Sequence, residues 1–168
     1  MFPDGRIAPS DSVFALLPSV RSFLEIRDGV YLVGMHTGGL ALYDSHKHKL
    51  IKYNTREEGS RKLYNDQVSN IVKDREGRIW IGTFGGGFCR FDEEKGIMEW
   101  LTAVEGLSDD NINSIIPGDD GKLWISTGNG ISAYDPESRQ FTNYMGRSEI
   151  PVNEFSMKAV SYTHLTLP

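Results

Sequence analysis

With 168 residues, 39% of them hydrophobic and 24% charged, the chain holds enough apolar material for the core of one domain and carries no compositional mark of disorder. Its net charge of −5 excludes the clustered basic surface that nucleic-acid binding requires, and its single cysteine, Cys89, excludes an internal disulfide. No run approaches the apolar length of a membrane span, and no charged segment followed by an apolar one opens the chain as a secretion leader would.

Residues 1–19 contain Pro3, Pro9 and Pro18 around one apolar run at 13–17, and read as the end of a preceding unit and its connection. A first repeat, 20–66 with its connection, begins at Val20. The pattern predicts strands over 21–26, 30–33, 40–43 and 50–53, with a hairpin turn at Arg27-Asp28-Gly29. Residues 54–66 carry Arg56, Glu57, Glu58, Arg61 and Lys62, the composition of a surface loop between units. A second repeat, 67–111, predicts strands over 68–73, 79–83, 88–91 and 97–101. Its turn Asp74-Arg75-Glu76-Gly77 has Asp first and Gly last, as a type I turn favours. A third, 112–145, places Asp119-Asp120-Gly121 at the matching turn and Trp124 where the second has Trp80, and its last strand runs over 141–144. Residues 146–160 would open a further repeat at Val152-Asn153-Glu154-Phe155-Ser156. Residues 161–168 have no place in the pattern.

The repeat is the strongest signal. Trp80 and Trp124 lie 44 residues apart, Asp44 and Asp92 lie 48 apart, and Asp92 and Asp135 lie 43 apart. A period of about 40 to 50 residues built of strands, with no helical unit, is the mark of β-propeller blades. The expected fold is therefore all-β, a partial propeller of about three four-stranded antiparallel blades plus the start of another. Closing a ring normally takes about four to eight blades, so the piece is expected to leave blade faces exposed.

In the second repeat Asp74, Gly77, Trp80-Ile81-Gly82-Thr83, Gly86-Gly87 and Phe91-Asp92 stand in a fixed order. This resembles the two-component regulator propeller repeat almost throughout. The third repeat departs from that pattern at Ser126, where it has Gly, and the first departs further, with Tyr31 for Trp and Met35-His36-Thr37 in the turn. The resemblance covers roughly residues 20–159, and Phe141, Tyr144 and Asn153-Glu154-Phe155 are similar to the last blades before a small immunoglobulin-like domain. It implies the sensor part of a hybrid two-component regulator, periplasmic, as the extracytoplasmic part of an inner-membrane protein. In gut Bacteroidetes such regulators commonly detect fragments of complex carbohydrates. The implied partners are an oligosaccharide ligand, the remaining blades and a downstream kinase of the full-length protein, and a second copy in a homodimer. The closing Ser-Tyr-Thr-His-Leu-Thr-Leu-Pro is similar to a tail at the ends of assembled metagenomic reading frames and is read as foreign to the fold.

In an antiparallel four-strand meander the turn between the second and third strands emerges at the same end as the connection to the next blade. That end would carry His36, Phe84 and Asn129 from the glycine turns, with Asn65, Asp66, Asp109, Asp110 and Asn111 from the connections. Amide, carboxylate and aromatic groups on loops suit sugar hydroxyls, while the same residues also serve to cap strand ends. Trp80 and Trp124, inside the second strands, are expected between stacked blades, and Cys89 as an inert core thiol.

The inventory for chemistry is poor, and no catalytic residue and no cofactor are expected. His46-x-His48 beside Asp44 lacks further metal ligands, Gly85-Gly86-Gly87 lacks the Lys-Ser/Thr of a phosphate loop, and Asp109-Asp110 and Asp119-Asp120 lack the spacing of a calcium loop. Two alternatives to a sensor remain. A lyase-type propeller enzyme would need His36 paired with Asp66 or Asp109, and a protein-interaction propeller would need no small ligand.

Overall fold

In the computed structural model, which describes Leu17 and residues 19–144, the chain forms twelve strands. They are β1 (Val20–Arg27), β2 (Val30–Met35), β3 (Leu40–Asp44), β4 (Lys49–Tyr53), β5 (Val68–Lys73), β6 (Ile79–Thr83), β7 (Phe88–Asp92), β8 (Gly96–Leu101), β9 (Ile112–Pro117), β10 (Leu123–Thr127), β11 (Gly130–Asp135) and β12 (Gln140–Tyr144). These make three separate four-stranded sheets, each a meander in sequence order and antiparallel throughout. The expected all-β architecture of about three blades is thus present, unclosed. The expected opening of a further repeat at Val152, the segment before residue 17 and the tail at 161–168 lie outside the described residues.

The blades stack face to face. β5 lies against both β1 and β9, so the first strand of each blade is the inner one, nearest the common axis. Leu32, Leu40, Ile71, Ile81 and Cys89 belong to one core between the first and second blades. Trp80, Phe88, Ile112, Ile125 and Tyr134 belong to another between the second and third. Alternation along each strand sends one residue set to each neighbour, which explains the nearly continuous burial of β6, whose five residues are all buried.

Two features were not predicted. Each inner strand is irregular near its start: the pairing shifts between Val20 and Ser22, between Val68 and Asn70, and at β9 where Thr127 pairs with Ile112 and Ser126 with Ser114. The extra residues, Arg21, Ser69 and Asn113, are a bulge repeated in every blade, and bulges favour sheet rims and binding sites. Secondly, the connection at 54–66 is not wholly a surface loop. Its charged residues are exposed or half-exposed, but Leu63 is fully buried in the first core and holds the loop down.

Trp80 is buried between blades as expected, packed edge-on to Tyr134 of the third blade. Trp124, expected in the same role, is instead 37% exposed and stacks on Tyr144. The reason is positional. Trp124 faces away from the second blade, toward the side where no further sheet packs among the described residues.

Candidate functional site

At one end of the blades the glycine turns and the inter-blade connections meet, as the meander requires. They are joined by backbone hydrogen bonds that repeat from blade to blade. The amides of His36, Phe84 and Gly128 donate to the carbonyls of Ser19, Gln67 and Asn111, the residues just before or at the head of β1, β5 and β9. Between blades, Gly39 donates to the Asp66 carbonyl, and Gly85 and Gly87 both donate to that of Asp110, at 2.9 to 3.0 Å. Gly87 has φ 72°, and a Cβ there would stand 2.3 Å from the Leu101 carbonyl oxygen, so the turn admits only glycine at this place.

The eight residues singled out from the sequence all lie at this end, and the structure divides them by what their side chains do. Asp66 accepts from the Thr55 amide at 2.7 Å and from its hydroxyl at 3.0 Å, closing the connection on itself. Asp110 accepts from the Ala103 amide at 2.7 Å in the matching loop. Asn65 and Asp109 each accept from the amide two residues on, at 2.8 and 2.6 Å, the Asx-turn that such residues make with their own backbone. Phe84 and Asn111 form an isolated antiparallel bridge. Asn129 is exposed at the tip of the third glycine turn.

His36 differs from these. Its Nδ1 is buried and has no hydrogen-bond partner among the described residues, and the same is true of two atoms on β5, Ser69 Oγ and Asn70 Oδ1, in the half of that strand nearest the loops. A buried polar atom without a partner is uncommon and marks a place where a water or a ligand group is accommodated. Ser69 and Asn70 were not anticipated, because the bulge that turns them inward leaves no mark in the apolar pattern of β5.

At the opposite end the carboxylates are committed to structure. Asp74 is 7% exposed and accepts from the Trp80 indole at 2.8 Å and from the Arg78 amide and guanidinium at 2.8 and 2.7 Å. Its counterpart in the third blade is Gly118, since both donate their amide across the same turn, and Asp119-Asp120-Gly121 occupy that matching turn at the places of Arg75-Glu76-Gly77. Arg78 continues to Glu137, Arg27 reaches Glu93 and Arg75 reaches Asp119, each pair joining neighbouring blades. Cys89 is fully buried, and burial pushes its thiol pKa up, out of nucleophilic range. His46 lies beside Asp28 at 3.4 Å in the exposed turn before β4.

Clefts among the described residues flank the blades. One of 390 Å³ lies at the Asp74 end, walled by Lys73, Arg78, Arg90 and Glu93. Another, of 450 Å³, runs along β8 beside residues 59–64.

Two stretches, residues 65–85 and 106–129, match the two component regulator propeller family. Each covers a connection, the inner strand and the strand carrying Trp80 or Trp124. The chain is similar to the extracellular domain of the hybrid two component system BT3049 from B. thetaiotaomicron, with 28% identity and a TM-score of 0.66 over 80% of this chain and 18% of that one. It also shares its fold with the extracellular domain of BT4673 from the same organism, at 24% identity and a TM-score of 0.62 over 77% of this chain and 17% of that one. The chain thus spans less than a fifth of the length of these structures. No curated protein matches it. By its repeated motif, its stacked four-stranded blades and this likeness, the chain carries two-component regulator propeller repeats and is homologous to the extracellular propeller domains of two-component sensor systems.

Proposed function

We propose that these blades belong to the ligand-sensing region of a hybrid two-component regulator, that the ligand is an oligosaccharide, and that it meets the loop-bearing end. One observation carries the choice of end: His36 Nδ1, Ser69 Oγ and Asn70 Oδ1 are buried there without partners. An orphaned hydroxyl, amide oxygen and ring nitrogen match the alternating donor and acceptor character of sugar hydroxyls. Phe84 and Asn129 lie on the same side of the blades, within the glycine turns.

The blade-to-blade hydrogen bonds at this end give a signal a route. A ligand held between a turn and the next connection would favour one spacing of adjacent blades, and it shifts an equilibrium only by its difference in affinity for two arrangements. The kinase that would read such a shift lies elsewhere in the full-length protein. The same likeness to extracellular domains supports an extracytoplasmic, periplasmic placement in this reading, and among the described residues no helix is long and apolar enough to cross a membrane.

The sensing reading is preferred to the lyase reading for a specific reason. The acidic partners that His36 would need, Asp66 and Asp109, already accept hydrogen bonds from Thr55 and Asn111. A non-enzymatic role fits the family.

The test is amide-resolved NMR of the labelled chain titrated with xylohexaose, cellohexaose, mannohexaose, maltohexaose and a hexagalacturonate. Expected are shifts at residues 36–39, 69–70, 84–87 and 128–130 with at least one sugar. No shift with any of them, or shifts confined to the Asp74 end, would refute the proposal.

A further inference from the structure

The cleft along β8 has features that the loop-bearing end does not explain. Tyr64 stacks on Trp100 with ring centroids 4.3 Å apart and planes 6° from parallel, yet Tyr64 is 56% exposed. An aromatic side chain that only covered the core would turn its area inward. Here one face of the Tyr64 ring rests on Trp100, while more than half of the residue is open to solvent.

The platform is rigid by construction. Leu63, next in the chain, is fully buried, and its amide donates to the Asn54 carbonyl at 3.1 Å. Lys62 forms an isolated bridge with Asn54, and Asp66 holds Thr55. At the start of β8 Gly96, with φ 80°, lets Ser60 approach so closely that a Cβ would meet the Ser60 carbonyl oxygen at 2.5 Å. Trp100 itself packs against the core between the first and second blades. Little ordering is left for a ligand to impose, which favours binding.

The chemistry of the walls narrows the occupant. Glu99 is already paired with Arg90 and Arg139, so its charge is compensated. Lys62 makes no ion pair among the described residues, and Ser60, Tyr64 and Trp100, whose side chains carry a hydroxyl, a phenol and an indole N–H, also line the cleft. A flat aromatic surface with hydrogen-bonding groups along its edge suits a molecule with one apolar C–H face and hydroxyls around its perimeter. A volume of 450 Å³ falls within the range of small-ligand sites, about 300–1,000 Å³.

We infer that this cleft is a second saccharide site, on the lateral wall of the second blade, in which a neutral pyranose ring stacks on Tyr64. It shares its ligand class with the loop-end proposal but not its residues, so either can fail without the other. The same NMR titration separates them. Shifts at residues 59–64 and 96–100 with one of the neutral hexasaccharides are expected, and their absence with all four would overturn the inference even if the loop end responds.

Variants then assign the contact. Tyr64→Ala is expected to weaken the affinity read from these shifts by about three- to tenfold, as the loss of one aromatic contact should. Tyr64→Phe, which keeps the ring, should stay within about twofold. Both should retain the parent's melting temperature to within a few degrees, because Leu63 and Asp66 still hold the loop. Equal loss in the two variants, or unchanged affinity in Tyr64→Ala, would show that stacking on this ring is not the interaction.

Discussion

Gly34, Gly82 and Ser126 occupy one place in the three blades, third in the Trp-Ile-Gly-Thr pattern of the second. The space around them explains why the third alone is not glycine. A Cβ at Gly34 would stand 2.5 Å from Val68 Cγ1 on the inner strand of the next blade, and one at Gly82 would stand 2.8 Å from Ile112 Cγ2 of the next blade and equally near Ser69 Oγ of its own. The next blade thus adds to the crowding that disfavours a side chain there, and Ser126 faces no further blade among the described residues. Gly82→Ala is expected to destabilise the chain by about 1–3 kcal/mol through overpacking, while Ser126→Ala should stay within about 1 kcal/mol. Urea midpoints measure both, and equal losses would disprove the inter-blade origin. Cys89 offers a second check at this scale. Burial raises its thiol pKa, so a thiol-specific dye should label it only as the chain unfolds, with the same denaturant midpoint as the loss of strand signal.

The strands and turns repeat their own chemistry. β3, β7 and β11 each end in an aspartate, and Asp44, Asp92 and Asp135 each accept from the amides two and three residues on, at 2.9 to 3.3 Å. Those amides, chiefly of Lys47, Lys95 and Glu137, hold the three carboxyls below the ordinary value of 3.8. Because the folded pKa is the lower one, the ionised form stabilises the turn at neutral pH. That contribution is lost as pH falls below the ordinary value and through the folded one. Melting temperature should therefore fall between about pH 5 and pH 2, and a triple Asn variant, which keeps an acceptor but no charge, should fall less steeply over that window. An identical slope in the variant would place the acid sensitivity elsewhere. The tryptophans of β6 and β10 give a contrast of the same kind. Trp80→Ala should cost about 3–5 kcal/mol and leave Asp74 with one fewer donor, whereas Trp124→Ala, from a site 37% exposed, should cost less than half of that.

At the scale of the whole molecule, two apolar faces stand at the ends of the stack. Trp124, Ile116, Ile131 and Tyr144 share the outer face of the third blade. Phe23, 53% exposed, stacks on Tyr31 on the outer face of the first. These faces differ in the same way as the two sides of every blade junction, so they complement each other head to tail. The chain alone is expected to self-associate, with a sedimentation coefficient that rises with concentration and falls back in Trp124→Asp. A single monomeric species at all concentrations, with a cooperative melt, would contradict this.

Most of the architecture was legible in the sequence because strand alternation, turn residues and a repeat near 44 residues are properties of neighbours along the chain. These fixed β5 and β6 to the residue and placed the eight loop candidates at one end. The fate of individual side chains was not legible, because it depends on how each connection folds and on what a different blade brings. Trp80 and Trp124 read alike, and only the third blade's Tyr134 separates them by burying the former. Asp66 and Asp110 read as ligand candidates, and only the folded connection turns their carboxylates onto Thr55 and Ala103. Leu63 and Tyr64 read as part of a polar loop until the core of two blades and the ring of Trp100 are brought beside them. Local pattern determined the blades by itself. Contacts that only the folded chain creates, some within a connection and some between blades, decided which of their polar and aromatic groups are tied into the structure and which stay exposed or unpartnered among the described residues.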